Sequence, residues 1–264
     1  IIMAEEIKNG AVVMGGEAAE KTAAEVKQAV AGEKASKRTV FQVMEAYKMI
    51  RTNLLFAMAT TDNRVVVFSS AEPSAGKSTL SANLAIVMAQ TGARVLLMDA
   101  DMRKPSQHRN FKKTRSMGLS KVLGGLNTLD ECIYPNVKPN VDLITSGPTP
   151  PNPSELLGSV RMKELLEELQ TRYDYIFIDM PPLCVVADAL VVAPNTAGVV
   201  LVARHNQTMY EEFAEALEKV ETTGAKLLGV VLTDMKVGTG NYGRYGRYER
   251  RRYYQRYDYE YSSK

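Results

Sequence analysis

Six short runs of almost uninterrupted aliphatic and β-branched residues recur along the chain. They are Arg64-Val-Val-Val-Phe-Ser, Arg94-Val-Leu-Leu-Met-Asp, Asn140-Val-Asp-Leu-Ile-Thr, Tyr173-Asp-Tyr-Ile-Phe-Ile-Asp, Gly198-Val-Val-Leu-Val-Ala and Leu227-Leu-Gly-Val-Val-Leu. A strand with one wet face alternates apolar and polar residues, so continuous runs predict strands covered on both faces. Segments with helical spacing separate several of them: Leu80, Leu84, Val87 and Met88, stopped by Gly92, then 160–171 and 210–223. This alternation predicts an α/β fold with a doubly wound, mainly parallel sheet, its ligand site beyond the carboxyl ends of the strands. Ahead of the first run, Val40, Val43, Ala46, Tyr47, Ile50 and Leu54 predict a helix over 39–59.

The segment Ala71-Glu-Pro-Ser-Ala-Gly-Lys-Ser-Thr joins the first strand to the first helical pattern. That is the context of a phosphate-binding P-loop, here Ser74, Ala75, Gly76, Lys77, Ser78 and Thr79. Successive backbone N–H groups wrap phosphates, and Gly76 allows close approach without a Cβ. Lys77 is placed to reach the β- and γ-phosphates of ATP, and the Ser78 hydroxyl to reach Mg2+. The helix that starts here adds its positive end. The usual first glycine of the motif is Ala71.

Three acids fall at strand ends on the same edge. Asp179 closes Tyr-Ile-Phe-Ile-Asp, the position of a Walker-B aspartate, while Asp99 and Asp101 follow Val95-Leu-Leu-Met. Any one of them alone reads equally well as a strand-end turn residue. Three around one P-loop read as a cluster that handles metal and proton: Lys77, Asp99, Asp101 and Asp179 as catalytic candidates, with Ser78, Asp99 and Asp179 as metal candidates.

Charge is unevenly spread. From Lys236 onward there are eight Lys or Arg against three acids, although the whole chain carries only +3. Residues 238–264 contain tyrosines 242, 245, 248, 253, 254, 257, 259 and 261 and six arginines, with no aliphatic residue. Such a segment buries too little apolar surface to offset its chain entropy, so a disordered tail is expected. Residues 1–38, rich in Ala, Glu, Lys and Gly, predict a linker or arm; the folded unit is expected over 39–237. Cys132 and Cys184 lie far apart and, like His108 and His205, show no metal-ligand spacing. No run has the length that spans a bilayer, and no cleavable leader is evident at the start.

Leu-Leu-Met-Asp99-Ala-Asp101-Met-Arg-Lys-Pro resembles the Walker A′ motif of bacterial tyrosine kinases, P-loop proteins related to the MinD/ParA ATPases. Gly147-Pro-Thr-Pro-Pro-Asn-Pro-Ser-Glu-Leu-Leu157 is similar to that family's proline-rich loop, with Asn152 or Ser154 expected to cap the following helix. Glu45-Ala-Tyr-Lys48-Met-Ile-Arg51 resembles the Glu-x-x-Arg-x-x-Arg oligomerisation motif, with Lys48 replacing a guanidinium fork by a point charge; from spacing alone these residues form a solvated helix face. The signature lysine of MinD/ParA relatives corresponds to Glu72, which argues against a partition-type ATPase. Thr233 stands where relatives place an asparagine near adenine.

The resemblance implies a protein-tyrosine kinase that uses ATP, releases ADP and needs Mg2+. Its acceptors would be Tyr242, Tyr245, Tyr248, Tyr253, Tyr254, Tyr257, Tyr259 and Tyr261, delivered to a neighbouring subunit's site. It further implies a homo-oligomeric ring through Glu45, Lys48 and Arg51, with an octamer as the size the family suggests. A transmembrane adaptor of the polysaccharide co-polymerase type, protein tyrosine substrates and a cognate tyrosine phosphatase are the implied partners. Control of capsule or exopolysaccharide export from the cytoplasmic face of the membrane is the implied role. Either Asp101 or Asp99 would accept the phenol proton. Arg103 and Lys104, just beyond, would guide phosphate or an acidic partner, or stay solvated. Two other readings stay open from the residues: a regulatory ATPase that only hydrolyses, and a nucleic-acid binder using the Arg/Tyr tail. The tail lies outside the expected folded body, so nucleic acid is not an expected partner.

Overall fold

In the computed structural model, which describes residues 41–235, the apolar runs form strands. These are β1 (Val65–Ser70), β2 (Val95–Asp99), β3 (Ile133–Lys138), β4 (Val141–Ile144), β5 (Tyr175–Asp179), β6 (Gly198–Arg204) and β7 (Leu227–Thr233). They build one seven-stranded sheet in the order β3-β4-β2-β5-β1-β6-β7. All neighbours run parallel except β3, which is antiparallel to β4. The expected arm over 1–38 and the tyrosine-rich tail over 238–264 lie outside the described residues.

β3 is the strand that the apolar runs did not predict. Its sequence Ile-Tyr-Pro-Asn-Val-Lys is half exposed, and its register shifts between Tyr134 and Lys138. Pro135 donates no ladder hydrogen bond and Asn136 has φ 49°, both tolerable only at an edge.

Side-chain alternation sorts the central strands onto two cores. Val65 and Val67 of β1 join Leu96, Met98, Ile176 and Ile178 on one face. Val66 and Phe68 join Leu97 and Phe177 on the other. Helix α1, over 41–57 of the described residues, packs Leu54 into the second core. So does α2 (Lys77–Ala89), buried almost all round as its apolar sequence requires.

Short helices α3 (Gln107–Asn110), α4 (Leu119–Leu123), α5 (Leu129–Cys132) and α6 (Pro153–Leu157) lead to α7 (Val160–Arg172). The last two are α8 (Asp188–Val192) and α9 (Tyr210–Thr222). Helix α7 buries Met162, Leu165, Leu166 and Leu169, and its Ser159 hydroxyl accepts the Met162 N–H.

The expected cap of α6 is corrected. Asn152 stands at the N-cap without a capping bond, its Nδ2 instead donating to Glu155 Oε2 at 2.6 Å. Ser154 lies inside the helix and donates to Asp188 Oδ1.

The strand order places the site. Chain leaving β1 crosses to β2 two positions away, and β5 later fills the gap. The carboxyl ends of β1, β5 and β2 therefore stand side by side, and Asp99 of β2 is in register with Asp179 of β5.

Candidate active site

The loop after β1 turns into α2 through Gly76, at φ 92° and ψ 11°. A Cβ there would meet the Thr233 side chain at 3.5 Å, an ordinary contact, so it is the left-handed backbone that calls for glycine. Ser74 is also left-handed, at φ 66°. No side chain caps α2, so the first-turn N–H groups remain open to a ligand. Ala75 is buried, and Thr233 at the end of β7 donates its hydroxyl to the Ala75 carbonyl at 2.7 Å. Thr233 thus braces the loop from below. Ser74 and Thr79 are exposed, and Ser78 is half-buried. Glu72 accepts a hydrogen bond from the Thr208 hydroxyl at 2.7 Å.

Lys77 points into the cluster of acids. Its Nζ lies 3.0 Å from Asp101 Oδ2, 3.6 Å from Asp179 Oδ1 and 3.4 Å from Ser78 Oγ. Burial pushes the ammonium down, but the charges of Asp179 and Asp101 outweigh it and hold Lys77 above its ordinary value. Asp101 is anchored on its other oxygen by the Lys104 N–H, at 2.8 Å.

Asp99 and Asp179 are fully buried. Burial and the neighbouring Asp179 charge push the Asp99 carboxyl up to about 8, against the pull of the Gln107 and Ser106 N–H groups. Burial also raises Asp179, with the Lys77 charge as the main opposing cause. Asp99 Oδ1 and Asp179 Oδ1 have no hydrogen-bond partner although both are enclosed.

Two crowded carboxylates, Asp99 with one oxygen unpartnered and Asp179 with one oxygen facing only the Lys77 ammonium at 3.6 Å, suit a divalent cation that would remove their repulsion. Among the described residues no group of three or more His, Cys, Asp or Glu forms a self-sufficient metal cage.

Gln107 was not singled out from sequence. It is buried at the start of α3, and its Nε2 donates to Asp179 Oδ2 at 2.8 Å and to the Ser78 carbonyl at 2.9 Å. Its backbone N–H holds Asp99 Oδ2 at 2.9 Å. One residue, through its side chain and its backbone N–H, therefore ties together the ends of β2 and β5 and the start of α2. A lone glutamine in a four-residue helix leaves no periodic trace in sequence.

Arg103 stays partly exposed, its side chain 41% accessible, yet its guanidinium is already engaged. It forks onto buried Asp188, with Nε to Oδ2 at 2.9 Å and Nη2 to Oδ1 at 3.1 Å. Ser154 joins the same carboxylate, so the loop carrying Asp101 is pinned to α6 and α8. Arg103→Ala leaves Asp188 buried with one hydroxyl, and should lower stability by about 1–3 kcal/mol in urea unfolding.

The expected oligomerisation residues lie along α1. Lys48 pairs with Glu45 at 2.7 Å on an exposed face, whereas Arg51 donates to the Val87 carbonyl of α2 at 2.9 Å.

Residues 63–226 match the family model described as AAA domain. The chain is 42% identical over 202 residues to tyrosine-protein kinase YwqD of Bacillus subtilis, covering 76% of this chain and 85% of that protein. Tyrosine-protein kinase Wzc of Salmonella typhimurium is 38% identical over 205 residues, 76% of this chain but 28% of Wzc. The chain thus corresponds to little more than a quarter of that longer relative.

The solved kinase domain of Escherichia coli tyrosine kinase Etk superposes with a TM-score of 0.72 at 37% identity, over 76% of this chain and 79% of that one. MinD from Pyrococcus horikoshii, complexed with Mg-ADP, superposes with a TM-score of 0.55 over 70% of this chain and 71% of that one. At 22% identity, this likeness shows a shared fold.

Proposed function

The chain belongs to the bacterial tyrosine-kinase family, and we propose that the site around Lys77 passes the γ-phosphoryl group of ATP to tyrosine hydroxyls, first those of the C-terminal tail. The observation that carries this reading is the convergence of Lys77 with Asp101 and Asp179 at the uncapped start of α2.

In this mechanism the N–H groups of 74–79 and the Lys77 ammonium hold the β- and γ-phosphates. Lys77 then exchanges part of its contact with Asp101 for phosphate oxygen. Ser78, Asp99 and Asp179 would hold magnesium, directly or through water. When bound, the ion would offset negative charge on the phosphates. The bond from the γ-phosphorus to the β,γ-bridging oxygen breaks, a bond to the phenol oxygen forms, and ADP leaves. A phenol with pKa near about 10 must lose its proton on attack. Asp101 is the proposed acceptor, because it lies beside the lysine that holds the γ-phosphate, while Asp99 sits in register with the metal candidate Asp179. Gln107 and the Arg103–Asp188 pair keep these groups in place.

The proposal extends to assembly and role. Tails are delivered between subunits of a homo-oligomer, and a membrane adaptor activates the kinase at the cytoplasmic face, in control of capsule or exopolysaccharide production. Among the described residues no helix is long and apolar enough to cross a membrane.

A two-chain experiment tests the transfer. A chain with all eight tail tyrosines changed to Phe is mixed with Lys77→Met and Mg-ATP. Phosphate on the tail of the Lys77→Met chain is expected. An unmodified tail, under conditions where the unaltered chain labels itself, rules out transfer between subunits.

A further inference from the structure

Between Asp101 and Asp130 the chain carries seven Lys or Arg and no Asp or Glu. The segment begins inside the site, since the Lys104 N–H holds Asp101 and Gln107 holds Asp179. Arg103 is committed to Asp188. Lys104, Arg109, Lys112, Lys113 and Arg115 are exposed, and none of them joins the ion pairs found among the described residues.

Their contacts are with neutral groups. Lys113 stands 5.6 Å over the Tyr134 ring, and Arg115 donates to the Thr149 hydroxyl at 3.3 Å. The surplus charge is felt locally: burial first, then the Arg109 and Arg115 charges, hold His108 below its ordinary value.

A positive field beside reacting groups attracts acidic peptide and repels basic peptide. The tail contains both kinds. Tyr245, Tyr248, Tyr253 and Tyr257 each follow an arginine, Tyr248 and Tyr257 with an acid on the other side, whereas Tyr259 lies between Asp258 and Glu260, and Tyr261 follows Glu260. We infer that the basic segment 104–115 selects acid-flanked acceptors, so that Tyr259 and Tyr261 of a second copy of the chain are modified before the arginine-flanked tyrosines. This inference rests on the kinase reading of the site. Each phosphate adds about −1.5 to −2 charges to the tail. The first transfers therefore strengthen docking and draw the more basic part of the tail into range.

The test is a time course on the full chain with Mg-ATP, quenched early, with occupancy of each tyrosine measured by peptide mass spectrometry. Tyr259 and Tyr261 should gain phosphate about tenfold faster than Tyr245 and Tyr253, the low end of electrostatic steering. Changing Lys112→Glu, Lys113→Glu and Arg115→Glu together should erase that preference and leave ATP turnover in place. Asp258→Lys with Glu260→Lys should erase it too, and combining both sets should restore fast labelling of the distal tyrosines.

An unchanged order in the triple variant, or arginine-flanked tyrosines first in the unaltered chain, overturns the inference while the kinase reading stands. Absence of phosphotyrosine at every site removes the kinase reading, and the inference with it. If the triple variant instead loses salt-sensitive binding to a labelled single-stranded oligonucleotide and keeps its labelling order, the segment serves nucleic acid and the inference is wrong.

Discussion

Lys77→Met should lower tyrosine phosphorylation by about 10²–10³-fold or more, the cost of removing a preorganised charge from a transferring group. Methionine keeps the length of the lysine stem and loses the ammonium, which lies 3.0 Å from Asp101 and 3.6 Å from Asp179. The same change takes the compensating charge from three buried carboxylates. Breaking a buried pair costs about 3–5 kcal/mol, less whatever the acids recover by taking up protons. A near-UV circular dichroism spectrum must therefore accompany the activity assay. Phosphotyrosine is then quantified after a fixed incubation with Mg-ATP. Activity retained within about threefold in a folded variant would mean that Lys77 does not carry the phosphate charge the mechanism assigns to it.

The largest expected loss of stability comes from Phe177→Ala, at about 3–5 kcal/mol. Phe177 is fully buried in the middle of β5, in edge contact with Phe68 of β1 at 5.1 Å between ring centres. Both rings face the core that α2 covers. Close-packed surroundings relax only in part around the void left by a ring, so lost burial and cavity add. The damage lies two residues from Asp179, so nucleotide affinity should weaken along with the urea midpoint. Equilibrium urea unfolding gives the first quantity and calorimetric titration with ADP and magnesium the second. A loss below about 1 kcal/mol would mean that the two rings are not the packing centre of the sheet.

The central architecture was legible because doubly covered strands write their burial into consecutive residues. β1, β2, β5 and β6 are almost wholly buried, and each appeared as an apolar run. β3 left no such mark because Pro135 and Asn136 interrupt its sequence; β7, the other edge strand, appeared as an apolar run although it is only partly covered. The gathering of Lys77, Asp99, Asp101 and Asp179 was legible for a topological reason: strand-end residues of a parallel sheet share an edge wherever their strands fall near one another.

What stayed hidden were long-range polar contacts. Asp188 sits 85 positions from Arg103, and Gln107 sits 72 from Asp179; neither residue type nor periodicity announces such partners. Arg51 shows the same limit. Its guanidinium meets the Val87 carbonyl of α2, 36 positions away, a contact that its spacing from Glu45 does not announce.

The central claim is that this cluster is a phosphotransfer site with tyrosine as acceptor. The most direct measurement is a phosphopeptide map, with intact mass, of the purified full chain after incubation with Mg-ATP and no other protein. Phosphate on several of the tyrosines from Tyr242 to Tyr261, with ADP released in proportion, is the predicted result. Consumption of ATP with every tail tyrosine unmodified would contradict it and leave a nucleotide hydrolase.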